Sequence, residues 1–168
     1  MRRTLALVAL AALGLVLVVV IRAPLAPEAR RAHGVRVVRV PKATVRSVEL
    51  VIRDRRLVAR HTAPGWEVDG APADPPLAAA LDDLLQNLVD LRAVDAFRPE
   101  DHGSYGLEPE HGSIVLATDA GQIRLLLGDV NAAGSAVYAR RSGDPRVFQI
   151  GTGFLTTLDR VFYRREAG

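Results

Sequence analysis

The chain contains no cysteine. That excludes a disulfide framework, thiol catalysis and every cysteine-based zinc or iron–sulfur site, while leaving the redox state of its compartment open. Lysine is nearly absent: of 22 basic residues only Lys42 is not arginine, so the abundance of guanidinium groups is partly a compositional habit. Aromatic residues are scarce, at 5%, and none precedes Trp66. A basic segment that binds nucleic acid is usually helped by stacking rings. The basic half of this chain has none, so no nucleic-acid partner is expected. No phosphate-binding loop is present either. Gly151-Thr152-Gly153 has Thr156 where a dinucleotide fingerprint has its third glycine, and it lacks the lysine of a P-loop. There is no Gly-x-Ser-x-Gly nucleophile elbow and no His-Glu-x-x-His helix.

What the sequence does have begins with Thr4 to Ile21, an uncharged apolar run broken only by Gly14. At ~1.5 Å per residue, such a helix is long enough for a hydrocarbon core of ~30 Å. Arg2 and Arg3 precede it and Arg22 follows it. A cleavable signal peptide is the competing reading, but its apolar region is usually shorter, ~7–15 residues, and ends in a small-x-small site. Here Ala23-Pro24-Leu25-Ala26-Pro27 offers Leu and Pro at the wrong places. The expected organisation is an uncleaved anchor over residues 1–22, a spacer over 23–34 and one domain over 35–165. The arginines at 22, 30, 31, 36 and 39 outnumber those before the run, which argues for a cytoplasmic domain. Long domains translocate largely regardless of such charges. The expected placement is therefore a single-pass protein of the inner membrane with its domain on the extracytoplasmic side.

Beyond the spacer the pattern is rich in strands. Val35–Val40, Val45–Arg53, Leu57–Thr62 and Trp66–Val68 carry β-branched or alternating residues between turns. Asp74-Pro75 then opens a helix, with Asp as N-cap and Pro at the first helical position. Leu77, Leu81, Leu84, Leu85, Leu88 and Leu91 follow on one face, with Asp82, Asp83, Gln86, Asn87 and Asp90 opposite. Strands are predicted again at Val94–Phe97, Ser113–Thr118, Gln122–Leu127, Ala136–Arg141 and Val147–Ile150, ahead of a short helix over Phe154–Tyr163. The predicted fold class is α+β: mostly antiparallel strands packed on one long and one short helix. A faint repeat of strand, turn, strand, helix links Val58–Leu91 with Tyr138–Phe162.

Charge is segregated. The first 65 residues are strongly basic, and the stretch from Trp66 to Ala139 is strongly acidic. A basic segment beside a membrane can contact anionic lipid, each residue contributing ~1 kcal/mol. The densest ionisable cluster is the loop Glu100, Asp101, His102, Glu108, Glu110 and His111. Two histidines with carboxylates could hold a metal or transfer protons. The glycines and prolines between them give no regular spacing, so a solvated acidic loop is the expected reading. Asp82 and Asp83 lie about 100° apart on a helix and cannot share a proton. Ser104, His102 and Asp101 are adjacent in sequence, which is not triad geometry. Trp66, Tyr105 and Tyr138 could stack on a ligand, though single aromatics in strand-rich domains more often fill a core. No catalytic, cofactor-binding or metal-ligating residue is assigned, and no cofactor is expected.

One combination of short motifs is more specific. Gly65-Trp66, Ala73-Asp74 opening a leucine-rich helix, Tyr105-Gly106-Leu107-Glu108-Pro109, Leu127-Gly128-Asp129 and Val137-Tyr138-Ala139-Arg140 occur in this order. Together they resemble the bacterial family called domain of unknown function 4340, over about Val45 to Phe162. The resemblance implies an N-terminal membrane segment and an envelope-facing domain, encoded beside ABC transporter components like those of gliding-motility systems. It implies no activity and no catalytic residue. Many members are longer and carry more than one copy of the domain, and this chain has room for one. Physically the motifs read as architecture: Gly106 permits a left-handed turn, Tyr105 and Leu107 pack to either side of it, and Gly128 ends a hairpin strand. The expected function is a membrane-anchored, envelope-facing accessory or interaction domain without catalysis. The alternatives are a lipid- or glycan-binding module, or an enzyme or metal-binding protein using the Glu100–His111 loop.

Overall fold

Alternation in the strands and a leucine stripe in the first helix generate a sheet with one face built to be covered. The computed structural model describes residues 34–99 and 105–167. The predicted anchor over residues 1–22 lies outside the described residues, as do Glu100, Asp101, His102 and Ser104. Among the described residues no helix is long and apolar enough to cross a membrane.

The strands are β1 (Val35–Arg36), β2 (Val45–Ile52), β3 (Arg55–Thr62), β4 (Gly65–Val68) and β5 (Ala71–Pro72), followed by helix α1 (Pro75–Val89). Then come β6 (Arg92–Ala93), β7 (Asp95–Phe97), β8 (Gly112–Thr118), β9 (Gly121–Val130), β10 (Ala136–Arg141), β11 (Val147–Gly151) and helix α2 (Gly153–Ala167). Nine of these strands form one sheet in the order β5-β4-β3-β2-β8-β9-β10-β11-β7, while β1 and β6 form a separate ribbon. Every pairing is antiparallel. The fold is α+β, as the sequence pattern predicts.

Register aligns one apolar face. Leu50 stands opposite Leu57 on β3 and Ile114 on β8, and Ile114 in turn opposite Leu125 on β9. Further along, Ala139 faces Leu127 and Phe148. All of these are buried in one core together with Leu77, Leu81, Leu84, Leu85 and Leu88 of α1 and Phe154, Leu158, Val161 and Phe162 of α2. Asp74 caps α1 as predicted, its Oδ1 accepting from the Leu77 N–H at 2.8 Å. The two halves of the faint repeat, β3-β4-α1 and β10-β11-α2, lie on opposite sides of the central β2–β8 pair, and their helices pack on each other.

Two expectations are corrected. The strand predicted over Val35–Val40 pairs only at Val35 and Arg36. The next N–H groups bond instead to the last residue of α1 and to the segment just after it: Val40 donates to Val89 O, and Val37 and Val38 donate to Leu91 O, two residues past the helix. A carbonyl at a helix C-terminus lacks a partner within the helix, and the Val40 N–H satisfies that of Val89. The second helix is not short, since α2 has 15 residues, as α1 does. Its apolar stripe ends at Phe162, but Arg164 and Arg165 suit a helix C-terminus. Arg165 also binds Asp69 at 2.7 Å and donates to Arg56 O at 3.2 Å, which holds the last turn.

Candidate functional site

Both helices pack on one face of the sheet. Strand alternation sends Glu49, Val51, Ser113, Val115, Arg124, Leu126, Tyr138 and Arg140 to the other. Over the β2–β8–β9 part of that face lies an open groove of about 670 Å³. Val51, Val115, Gly112 and Ser113 line it together with Glu49, Glu110 and Arg124, and Arg53 and His111 reach it from the strand ends. Ser113 is 6% exposed and is the one polar residue buried among the described residues. Carboxylates and guanidinium groups are matched across this face: Glu49 with Arg56 at 2.9 Å, Glu110 with Arg124 at 2.8 Å and Glu108 with Arg140. His111 Nδ1 lies 3.3 Å from Asp129 Oδ1.

The acidic loop is therefore drawn onto the sheet in its described part. Glu108, Glu110 and His111 each have a different partner and do not converge. Among the described residues no three His, Asp or Glu side chains gather as metal ligands would.

The Tyr105–Pro109 segment crosses β9 at Gly128, and here two of the sequence motifs become one structure. Gly106 has φ +65°, as its place between two large residues predicts. A Cβ on Gly106 would stand 2.7 Å from the Asp129 backbone nitrogen. A Cβ on Gly128 would collide with the Tyr105 carbonyl oxygen and come within 3.0 Å of the Gly106 backbone. Each glycine thus vacates the space that the other chain occupies. The expectation that Gly128 ends its strand is corrected: β9 runs on to Val130. Leu107 is buried on this crossing, and a bridge joins it to Glu110.

The three aromatic candidates separate. Tyr105 and Tyr138 meet edge to face with centroids 5.0 Å apart, and Phe97 joins them at 5.4 Å from Tyr105. Trp66 belongs to the helix-covered core, 5% exposed and edge-on to His61. Sequence reasoning missed Phe97, Ser113, Arg124 and Arg140. Alternation within each strand could have placed them on one face, but only the strand order brings them together.

Perturbed ionisation often marks a reactive site. Asp144 lies instead in the β10–β11 turn. Hydrogen bonds from the Arg146 side chain at 2.8 and 3.0 Å, with the Arg146 N–H at 3.0 Å, lower its pKa to about 2. It braces a turn, with Arg141 3.5 Å away on its other side.

The family described as "Domain of unknown function (DUF4340)" matches residues 36–162, about three quarters of the chain. No curated protein and no solved structure matches it.

Proposed function

Since the chain belongs to the DUF4340 family, we propose that it is a membrane-anchored, envelope-facing accessory domain that acts by holding a protein partner rather than by catalysis. The observation that carries this reading is the one-sided cover of the sheet. Both helices lie over one face, and the other presents paired charges on a floor of Val51, Ser113 and Val115. Such a mixed face, apolar at the centre and polar at the rim, has the make-up of a protein interface. Its acids and guanidinium groups neutralise one another, which suits recognition better than proton transfer.

The partner is a component of an ABC transporter assembly, and the chain is held beside it by the apolar run from Thr4 to Ile21. The basic residues that follow the run contact anionic headgroups. In this arrangement the family motifs are scaffold: Tyr105–Pro109 and Leu127–Asp129 build the Gly106–Gly128 crossing beside the open face, and Asp74 caps α1.

Topology is tested by adding protease to spheroplasts. The domain is digested while a cytoplasmic control survives. Protection of the domain would place it in the cytoplasm and overturn the envelope assignment.

A further inference from the structure

A second cavity, of about 370 Å³, lies between β9, β10 and α2 near the β2–β3 turn. Its interior is aliphatic. Leu127, Val137 and Leu158 are buried at its back, and Ile52 and Leu155 are partly accessible. Val130, 47% exposed, is an apolar side chain that folding leaves in water at this place. The volume falls at the small end of the range for small-molecule sites, ~300–1,000 Å³. It suits a single short aliphatic chain, not a two-chain lipid.

The charged residues around the cavity single out one cation. Arg55 is committed to Asp159 at 3.0 Å, with its guanidinium over the Phe162 ring. Asp129 is taken by His111. Arg53 is the remaining charge, and its side chain has no partner among the described residues. Its backbone is unusual as well. Arg53 is the first residue of the two-residue turn between the paired Ile52 and Arg55, and its φ is +56°. Glycine or asparagine takes that conformation at little cost, and arginine does not. An arginine there, unpaired and beside an apolar cavity, is a strained residue of the kind found at binding sites.

We propose that this cavity binds an aliphatic carboxylate, with its chain against Leu127, Val137, Leu155 and Leu158 and its carboxylate on the Arg53 guanidinium. A charge-assisted bidentate contact fixes the head, and burial of the chain supplies most of the affinity. The cavity shares Arg53 and His111 with the rim of the open groove, but its aliphatic back, Leu127, Val137 and Leu158, belongs to the helix-covered side of the sheet.

The test uses the full chain in tryptophan-free, polymer-bounded discs of zwitterionic lipid. Unfolding is followed by the fluorescence of Trp66, the chain's sole tryptophan. Octanoate, octan-1-ol and acetate are compared at matched concentrations. Octanoate should raise the midpoint most, octanol less, and acetate not at all, because a ligand of the native state stabilises it more the tighter it binds. Arg53→Gln should weaken octanoate about tenfold or more, to the level of octanol. Arg53→Gly should do the same while melting no lower than wild type, because glycine relieves the turn. Leu155→Phe, filling the cavity, should abolish both shifts. Equal shifts from octanoate and octanol, a full octanoate shift in Arg53→Gln, or no shift from any of the three ligands would overturn the proposal.

Discussion

At the crossing, Asp129 fills the side-chain space of Gly106, and the Tyr105 and Gly106 backbone fills that of Gly128, so each glycine should be intolerant of even one added methyl. Gly128→Ala drives a Cβ into the Tyr105 carbonyl, backbone against backbone. It should cost about 3 kcal/mol in urea unfolding. Gly106→Ala adds the left-handed penalty to its contact with the Asp129 nitrogen and should cost about 2 kcal/mol. An exposed glycine such as Gly143, with nothing near its missing Cβ, loses only through its φ of +81°. Gly106 was legible in the sequence because a glycine between two large loop residues has a local cause. Gly128 was misread because its cause is a chain segment about 20 residues away. Trp66 gives a second residue-scale test. Its Nε1 is buried without a hydrogen-bond partner among the described residues. Trp66→Phe removes that unsatisfied donor and should change stability by no more than about 1 kcal/mol, against about 3–5 kcal/mol for Trp66→Ala. A third concerns pH. The carboxyl of Asp144 is depressed to about 2 by Arg146, so its contribution is complete above the unfolded value of about 4 and disappears as pH falls toward 2. Partial screening leaves it on the order of 1 kcal/mol. Unfolding free energy measured between pH 5 and 2, roughly, should lose that amount in wild type and show no such step in Asp144→Asn.

At the scale of elements, α1 is specified almost entirely by its own sequence. Asp74 and Pro75 start it, and the leucine stripe faces the core. Asp74→Ala should cost about 1 kcal/mol through the lost cap, and Leu84→Ala about 3 kcal/mol through a cavity in the core. Asp83 on the opposite face has only a 3.5 Å contact with Arg160, and Asp83→Asn should change stability by less than about 0.5 kcal/mol. Thermal or urea unfolding of the three variants ranks them. The hairpin strands were equally readable, since Gly121 and the Gly143 turn sit between alternating runs. The length of α2 was not, because the residues that hold its last turn, Asp69 and Arg56, belong to the other half of the chain. The segment after β1 failed for the same reason: its valines look like a strand, yet its N–H groups bond to Val89 and Leu91, at and just past the end of α1.

For the molecule as a whole, the class was legible and the arrangement was not. Each strand's two faces follow from alternation, but nothing local says that β2 pairs with β8 or that both helices choose the same face. That choice creates the open face and places Phe97 beside Tyr105 and Tyr138. The edges of the sheet are short and blunt, with Pro72 in β5 at one end and three-residue β7 at the other. Such edges resist pairing with further strands, which is why the proposed partner is assigned to the open face rather than to an edge. The most direct test is photocrosslinking in native membranes. A crosslinking residue replaces Val115 on the open face in one variant and Asp83 on the outer helix face in another, and adducts are identified by mass spectrometry. The account predicts an adduct with a transporter subunit from position 115 and none from position 83. Adducts from position 83 alone, or no adduct from position 115 in a correctly folded and inserted protein, would contradict it.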